Sequence, residues 1–488
     1  MKKKVGVLLI NLGTPDSPKV GDVRRYLTEF LNDPRVIDIP TVLRAILVNG
    51  IIVPFRAPKS AKIYKQLFDL NGGKSPLLEY GYKVRDILRE RLAGHADVEL
   101  AMRYGKPSLD EVAEKMNKAG YDRIIVFPLF PQYASASTGS ALEKAMKLIR
   151  KWYVIPEIEI ISQFYDHPGY INTVVDQAKK HDLKEYDHIL FSYHGLPVRQ
   201  VNKIYEDKKC SNHSCEDEIN DENRFCYKAT CYATTRLIAE KMGITEKDYT
   251  VCFQSRLDKK WLEPFSDSVV EEWGKKGAKK LLAFSPAFVA DCLETSIEIG
   301  DEYQEIFEEH GGEKVQLVES LNDHPMWIET MESMIKERLW LAYSWHKEIL
   351  TQGENDQTLR RIITLSSHYN HFALYLTESA DFIFYAGAKR TIILTQSAGA
   401  FEALKAFQGE SVREVCGFLG YDLKNDLEKL TSENSDCLDT PAASFFEAEL
   451  RVKFQNGILS CDASDAQKGE QFVAFLDKSE PVGNEQFE

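Results

Sequence analysis

One histidine and three glutamates have the types and spacing needed to move protons and bind a metal ion. His194 ends the apolar run "HILFSYH" and is followed at once by the turn "GLP". A neutral imidazole can accept a proton at physiological pH and can also bind a metal. Glu294, Glu298 and Glu302 are spaced by four, which on a helix places the three carboxylates on one face. Such a row could bind divalent cations through oxygen ligands or pass protons.

Each of these features also has a purely structural interpretation. A histidine at a strand end can be satisfied by backbone groups, and a row of glutamates can be a solvated helix face. Three like charges in a row repel one another, so the row contributes nothing to helix stability by itself. If His194 and Glu294 face one crevice, they could remove protons from a ligand while a metal enters it.

Four of the nine cysteines follow the pattern C-x4-C-x10-C-x4-C: Cys210, Cys215, Cys226 and Cys231. Because no export signal is predicted, a metal site is a better interpretation than a disulfide framework. Four thiolates suit a tetrahedral zinc ion or a [2Fe–2S] cluster, and His213 could replace one thiolate in either site. A chance grouping of reduced thiols is the remaining alternative.

The elements that must position these side chains are apolar strands alternating with amphipathic helices through about residue 325. The predicted strands are "KVGVLLINL", "DVELAMRY", "RIIVFPLF", "EIEIISQF", "HILFSYH", "YTVCFQS", "KKLLAFSP" and "KVQLVES". Continuous apolar strands separated by helices predict parallel sheets covered on both faces. Ligands bind beyond the carboxyl ends of such strands, where "NLGTP", "RYGKP", "PQYASASTGS", "SYHGLP" and "PAFVADCLET" lie.

The predicted fold class is α/β, with two doubly wound halves followed by an extension. The first domain covers residues 1–170, and the second covers 171–338, with a Cys-rich insertion at 206–231 and a closing helix. Residues 341–488 form an extension of α/β or α+β type, in which "RTIILTQSAGAFEALKAF" predicts a strand, a loop and a helix. The helical pattern near Met331 is expected to continue through "WLAYSWHKEIL".

Composition excludes some classes of function. The net charge is −14, and no basic stripe is present to neutralise phosphates, so we expect no nucleic-acid partner. Residues 1–12 predict a buried strand rather than a signal peptide, and we therefore expect a cytoplasmic protein. The apolar stretch Thr41–Phe55 is too short to span a membrane; it predicts either a core helix or an apolar lip that contacts a ligand or a membrane surface.

Between about residues 3 and 338 the chain resembles ferrochelatases, enzymes that insert ferrous iron into a porphyrin to make haem. The resemblance depends on six motifs in the order and spacing of the family: "INLGTPDSP", "GGKSPLL", "FPLFPQYASASTGS", "FSYHGLP", "QSRLDKKWLEP" and "PAFVADCLETSIEI". It implies two doubly wound, Rossmann-like halves with the porphyrin cleft between them. The wording "ADCLET" is similar to the branch that uses protoporphyrin.

The resemblance also implies roles for individual residues. His194 and Glu294 become the catalytic residues and metal ligands, with Glu298 and Glu302 continuing the path of the metal. His194 is expected to take a pyrrole proton from a bent macrocycle while Glu294 positions the metal or takes the second proton. The implied porphyrin contacts are Arg103, Tyr104, Ser135, Trp261, Leu43 and Ile52.

Some members of the family carry a [2Fe–2S] cluster. In animal members one ligand lies beside the "QY" loop, where this chain has Ser135, so that arrangement does not transfer. The chain resembles bacterial members whose internal insertion holds all four ligands. This resemblance favours [2Fe–2S] over zinc on Cys210, Cys215, Cys226 and Cys231, with a structural or sensing role.

Other functions and partners fit the same residues. The chain could load cobalt or nickel into a tetrapyrrole, use coproporphyrin, or be a haem or iron–sulfur sensor without catalysis. The expected partners are a porphyrin and Fe2+ as substrates, with peripheral contact to a membrane or to an upstream porphyrin-pathway enzyme.

Overall fold

The computed structural model forms two compact units, Met1–Ser333 and Met334–Glu488. The residues that it describes are 4–207, 209–339, 343–348, 352–366, 369–376, 382–394, 400–410, 415–419, 443–455, 458–463 and 466–476.

The first half of the first unit is a parallel sheet covered by helices. Its strands are β1 (Val5–Thr14), β2 (Asp97–Gly105), β3 (Arg123–Pro128) and β4 (Glu157–Ile160), in the order β2-β1-β3-β4. Its helices are α1 (Val20–Leu31), α2 (Thr41–Ile46), α3 (Val53–Leu70), α4 (Pro76–Arg91), α5 (Leu109–Ala119) and α6 (Ser140–Ile149). The central strand β1 is buried at nearly every position because helices cover both faces of a parallel sheet.

The second half repeats this arrangement. Its strands are β5 (His188–His194), β6 (Tyr249–Gln254), β7 (Lys280–Phe284) and β8 (Lys314–Leu317), in the order β6-β5-β7-β8. Its helices are α7 (Pro168–Ala178), α8 (Val198–Val201), α9 (Tyr227–Met242), α10 (Ser266–Lys275), α11 (Tyr303–Glu309) and α12 (Pro325–Leu339), the last of which contains the boundary between the units. The eight predicted strands and the two parallel sheets are thereby confirmed for the described residues.

Several connections contain turns that are wider or tighter than an α-helix. Among the described residues, π-helical segments are Leu47–Ile52, Ser135–Gly139 and Glu294–Glu302, and short 3₁₀ turns are Leu183–Glu185, Asn202–Ile204 and Cys210–Asn212. π-helical turns are rare and occur frequently at functional sites.

The end of α5 illustrates how local sequence sets an element's length. Ser108 caps the first turn by accepting from the Glu111 amide, and the Glu111 carboxylate accepts from the Ser108 amide, which satisfies two otherwise unpaired amides. Gly120 ends the helix with a φ of 65°, a left-handed conformation that glycine adopts without strain.

A buried carboxylate ties α1 to the end of the first sheet. Asp33 accepts hydrogen bonds from the Arg103 guanidinium, from Tyr104 Oη at 2.9 Å, from Ser140 Oγ at 2.5 Å and from the Arg35 amide at 2.7 Å. Burial alone would raise the pKa of Asp33, but these hydrogen bonds and the Arg103 charge lower the pKa below its usual value.

The apolar stretch near residue 41 continues as one helical segment, Thr41–Leu70. Over its 30 residues it is long and apolar enough, by length and composition alone, to cross a membrane, and 22% of its most apolar window is buried. Val48, Val53 and Ala57 pack on α1 within one apolar cluster. The same segment exposes Val42, Leu43, Ile46, Ile51 and Phe55, which we name the apolar lip.

The second unit is an antiparallel sheet with helices. Its strands are β9 (Tyr343–Glu348), β10 (Phe372–Leu376), β11 (Phe382–Leu394), β12 (Val415–Leu419), β13 (Ala443–Gln455) and β14 (Ile458–Ala463), and its helices are α13 (Gln352–Ser366), α14 (Ala400–Glu410) and α15 (Ala466–Leu476). The described strands have the order β10-β11-β13-β14-β9, and β12 also pairs with β13. Phe384, Val452, Ile362 and Phe472 form part of its core, from both strands and helices.

Two expectations for this unit need correction. All described strand pairs are antiparallel, so the extension is of α+β type and the α/β alternative is wrong. The helical pattern does not continue through "YSWHKE", because β9 pairs along its whole length with β14; this tertiary pairing overrides local helix propensity.

We expect Asp33→Asn to lower the local free energy of unfolding by about 3 kcal/mol, because Arg103 would lose a buried partner charge. Hydrogen exchange of β1 and β2 peptides, read by mass spectrometry, measures this change. Since the pKa of Asp33 is lowered on folding, its stabilisation is present above the unfolded pKa of about 3.9 and disappears as pH falls through the lower folded value. The difference between variant and wild type should therefore shrink in acid.

The matched control is Asp69→Asn. Asp69 pairs with Lys65 at 2.5 Å, and both side chains are largely exposed, so the expected change is below about 1 kcal/mol. Equal effects of the two substitutions would contradict the role given to Asp33.

Candidate active site

One large cavity of the first unit lies at the carboxyl ends of its strands, and it is lined by the ends of β1 and β5 and by the loops that follow β3, β5 and β7. Its empty volume, including space open to solvent, is about 1060 Å3. The walls are mainly apolar and aromatic, with Phe30, Leu77, Phe130 and Phe288 among the lining residues. The cavity therefore favours a large apolar ligand at the carboxyl ends of the strands, where such sheets bind ligands.

His194 lines this cavity at the end of β5. Its Nδ1 lies 2.7 Å from the Gly195 carbonyl oxygen, which can only accept, so Nδ1 carries the proton and Nε2 keeps its lone pair. The rings of Trp261 and Phe288 flank the imidazole, with centroids at 6.5 Å and 6.4 Å. The side chain is thus prepared to accept a proton or to bind a metal through Nε2.

The peptide unit that follows His194 is fixed from both sides. Its carbonyl oxygen accepts a hydrogen bond from Tyr227 Oη at 2.9 Å. Its amide, the N–H of Gly195, donates to the Gln254 carbonyl oxygen at 2.8 Å. A Cβ at Gly195 would lie 2.7 Å from that oxygen and 3.3 Å from the Trp261 ring, so the close approach requires glycine.

Glu294 lines the same cavity from the loop after β7. It begins the π-helical segment Glu294–Glu302, whose wide turns, closed by i to i+5 hydrogen bonds, leave residues four apart close to one face. Gln254 Nε2 donates to the Glu294 carbonyl oxygen at 3.0 Å. Gln254 therefore connects the backbone of both candidate catalytic residues, His194 and Glu294.

The other two glutamates continue outward along this segment. Glu298 is half-buried, and its carboxylate accepts from the Ser255 amide at 2.7 Å, from Ser255 Oγ at 2.5 Å and from Gln254 Nε2 at 3.1 Å. Glu302 is exposed, and partial burial together with the Glu298 charge raises its pKa. Of the three glutamates, Glu294 thus lines the cavity, Glu298 is half-buried and Glu302 is exposed to solvent.

The cavity also contains groups that the sequence did not single out. Tyr26 is buried and Tyr64 is half-buried, with ring centroids 6.1 Å apart, and burial raises the pKa of both phenols. Cys292 is buried beside Glu294, and burial followed by the Glu294 charge raises the pKa of its thiol. These hydroxyl and thiol groups stay protonated at neutral pH and can only donate or accept hydrogen bonds.

The predicted porphyrin contacts lie in different surroundings. Trp261 lies beside His194. Arg103 and Tyr104 both donate hydrogen bonds to Asp33, and Tyr104 is fully buried. Ser135 Oγ accepts from Arg35 Nη1 at 2.9 Å.

The two predicted lip contacts also lie apart from the cavity. Leu43 is exposed in the apolar lip, and Ile52 packs partly against the α1 cluster. The described lining of the cavity includes none of the six predicted porphyrin contacts.

Three of the four candidate cluster cysteines come together. The sulfur atoms of Cys210, Cys215 and Cys226 are separated by 3.4 Å and by two distances of 3.7 Å, and all three residues are buried. Four sulfurs arranged tetrahedrally at about 2.3 Å from one metal are about 3.8 Å apart, so this donor set fits a thiolate-bound metal. Cys231 is buried in the second turn of α9 but lies outside this group of described ligand atoms.

Electrostatics distinguish one thiol of the trio. The hydrogen bonds of Cys210 and Cys215 lower the pKa of Cys226 to about 3, and Cys226 also precedes the N-terminus of α9, which favours a thiolate. The pKa of Cys210 and that of Cys215 are raised in return. Tyr205 Oη lies 2.9 Å from Cys215 Sγ, and the Tyr205 ring stacks on His213, so His213 faces the tyrosine rather than the sulfur atoms.

Known proteins match the first unit over almost its whole length. A family model described as Ferrochelatase matches residues 4–339. The ferrochelatase of Coxiella burnetii (strain Dugway 5J108-111) is 44% identical over 342 residues, covering 69% of this chain and 95% of that protein. The ferrochelatase of Legionella pneumophila (strain Corby) is 42% identical over 335 residues, covering 68% and 99%. Among solved structures, SirB from Bacillus subtilis with Fe3+ aligns at 13% identity with a TM-score of 0.41, covering 68% of this chain and 95% of that one.

We expect Gly195→Ala to destabilise the end of β5 by about 1–3 kcal/mol, because the added methyl group must displace the Gln254 carbonyl or the Trp261 ring. Hydrogen exchange of the β5 and β6 peptides measures the change. Gly21→Ala is the control: nothing lies within 4 Å of its added Cβ, and alanine within α1 should be neutral or stabilising. Unchanged protection in Gly195→Ala would show that the peptide is not tightly fixed.

Proposed function

This chain belongs to the ferrochelatase family, and we propose that its cavity inserts ferrous iron into protoporphyrin IX to form protohaem, releasing two protons in the last step of haem biosynthesis. The observation that carries this proposal is the convergence of His194 and Glu294, from the loops after β5 and β7, on one large apolar cavity. An apolar macrocycle fits such walls, and the two side chains supply proton acceptors and metal ligands.

His194 acts as the base that removes a pyrrole proton. Its Nδ1–H is held by the Gly195 carbonyl, so only Nε2 is available for the proton or for the iron. Histidine is the side chain that most often serves as a general base in enzymes. Phe288 and Trp261 beside the ring limit the access of water to the transfer.

Glu294 takes the second proton or positions the iron, and Glu298 and Glu302 supply the route. Ferrous iron is a substrate here, and carboxylate oxygens bind divalent cations without the affinity of thiolates. Glu298 is already oriented by Ser255 and Gln254, so an arriving cation meets a fixed carboxylate. Exposed Glu302 provides the entrance from solvent.

The porphyrin contacts remain predictions. Trp261 is the best supported because it lies beside His194. Contacts by Arg103 and Tyr104 would require exchange of their Asp33 hydrogen bonds, and those by Ser135 would compete with Arg35. Leu43 and Ile52 would contact the macrocycle only from the lip side of the cavity.

We propose a resident [2Fe–2S] cluster on Cys210, Cys215, Cys226 and Cys231, with zinc as the alternative. The close approach of three buried thiols supports a thiolate-bound metal centre. Four cysteine ligands additionally require Cys231, which is buried nearby in α9. A bound cluster would link the Cys-rich insertion to α9.

We also propose that the enzyme is cytoplasmic and contacts a membrane surface, or an enzyme that supplies porphyrin, through the apolar lip. The exposed side chains of Val42, Leu43, Ile46, Ile51 and Phe55 support this contact, because contiguous exposed apolar patches usually mark interaction sites.

We expect His194→Ala to lower kcat for haem formation by about 10²- to 10⁴-fold, the usual contribution of a general base. The assay mixes the protein with protoporphyrin and ferrous iron without oxygen and follows haem absorption. His310→Ala is the control, because the His310 imidazole bonds to its own helix at Ile306 and should leave activity unchanged.

Parallel reactions with cobalt, nickel or coproporphyrin distinguish the related chelatase activities. No haem from the wild-type protein, or undiminished haem from His194→Ala, would overturn the proposed function.

The purified protein should contain iron and acid-labile sulfide in equal amounts and absorb visible light, whereas zinc would be colourless. Cys226→Ser removes the thiol with the lowered pKa and should abolish both metal and colour. Cys252→Ser, a buried cysteine of β6 outside the trio, should retain them. Zinc without sulfide would establish the alternative, and absence of any bound metal would contradict both.

A further inference from the structure

We propose that Tyr227 is a positioning residue that connects the thiol centre to His194, so that binding of metal by the cysteines fixes the catalytic imidazole. This inference rests on the proposed function for its effect on catalysis. The contacts that carry it lie within the first unit, where Tyr227 and Cys226 are buried and His194 is half-buried.

The first contact is the hydrogen bond between Tyr227 and His194. Tyr227 Oη donates to the His194 carbonyl oxygen at 2.9 Å, and 7% of the Tyr227 surface is exposed. A buried donor of this kind fixes its acceptor strongly, because water cannot replace the bond.

The second link is covalent. Tyr227 directly follows Cys226 and is the first residue of α9, and Cys226 Sγ lies 3.7 Å from the sulfur atoms of Cys210 and Cys215. A metal held by these thiolates would fix the position of the Cys226 backbone. The start of α9 and the Tyr227 side chain would then be fixed with it.

The third link is between the peptide and the imidazole. The carbonyl that Tyr227 holds belongs to the peptide whose amide donates to Gln254, and the next carbonyl, that of Gly195, accepts from His194 Nδ1. Loss of the Tyr227 bond would release one side of this peptide. The Gly195 carbonyl would then hold the ring less firmly, and Nε2 would lose its fixed direction into the cavity.

Cys231 belongs to the same helix. It lies one turn after Tyr227 and is fully buried. Residues four apart share a helix face. Recruitment of Cys231 as a metal ligand would therefore also restrain the first turn of α9, where Tyr227 lies.

The test is a double-mutant cycle between Tyr227→Phe and Cys226→Ser. Tyr227→Phe keeps the ring and removes the hydroxyl, and we expect kcat for haem formation to fall about five- to tenfold with little change in the porphyrin KM. Cys226→Ser should lower kcat in the wild-type background but add little in the Tyr227→Phe background, because both changes break the same connection. Additive effects would overturn the proposal.

Tyr193→Phe is the matched control. Tyr193 precedes His194 in β5, and its buried hydroxyl bonds to Thr235 Oγ1 at 2.8 Å, so its loss removes a comparable hydrogen bond without touching the His194 carbonyl. Its effect should be additive with that of Cys226→Ser. Coupling as large as that of Tyr227→Phe would contradict a specific route through Tyr227.

A second readout needs neither porphyrin nor iron insertion. The rate at which diethyl pyrocarbonate labels His194, followed by peptide mass spectrometry, reports the exposure and direction of its imidazole. We expect Tyr227→Phe and Cys226→Ser to change this rate and Tyr193→Phe and Cys252→Ser to leave it unchanged. If Tyr227→Phe does not fold, the comparison of Cys226→Ser with Cys252→Ser decides alone, and equal labelling in those two overturns the proposal.

The labelling result also separates the two hypotheses. A change at His194 without haem formation by the wild-type protein would reject the proposed function and keep the connection. Haem formation with unchanged labelling would keep the proposed function and reject the connection through Tyr227.

Discussion

The peptide unit between His194 and Gly195 is the constraint on which the reactive centre depends. Tyr227 of α9 holds its carbonyl, and the end of β6 holds its amide through Gln254. Gln254 also bonds to the Glu294 carbonyl and the Glu298 carboxylate. His194, Glu294 and Glu298 therefore share one support, and a shift of β6 against β5 would disturb all three residues at once. Preorganisation of this kind lowers the reorganisation needed during proton transfer.

The repeated topology explains why one half of the first unit supplies the reactive groups and the other supplies a wall. In the orders β2-β1-β3-β4 and β6-β5-β7-β8, β1 corresponds to β5 and β3 corresponds to β7. His194 follows β5 and Glu294 follows the loop after β7, whereas the equivalent loops after β1 and β3 contribute mainly small and apolar lining residues. The sheets are equivalent supports, and the difference in chemistry lies in the loops at their carboxyl ends.

The sequence predicted what depends on local pattern and failed where distant contacts decide. The eight strands of the first unit were visible because buried parallel strands are continuous apolar runs. The hydrogen bonds between Tyr104 and Asp33 and between Tyr227 and His194 could not be predicted. These partners are 71 and 33 residues apart, and nothing in their spacing signals a contact. The helix predicted over the residues of β9 was wrong for the same reason. Pairing with β14, more than a hundred residues later in the chain, decides the conformation of this segment.

Two kinds of metal chemistry must stay separate in this protein if iron is to leave the site as product. Carboxylates and an imidazole face the cavity, whereas none of the trio Cys210, Cys215 and Cys226 is among the described residues that line it. Thiolates would compete with the porphyrin for iron, since soft ligands bind it tightly. Among the described residues that line the cavity, the one thiol is Cys292; it is kept neutral by burial and by Glu294, and a neutral thiol is a poor ligand. Tyr227 lines the cavity and directly follows Cys226, so a metal bound by the trio would influence His194 through Tyr227 without its thiolates entering the cavity.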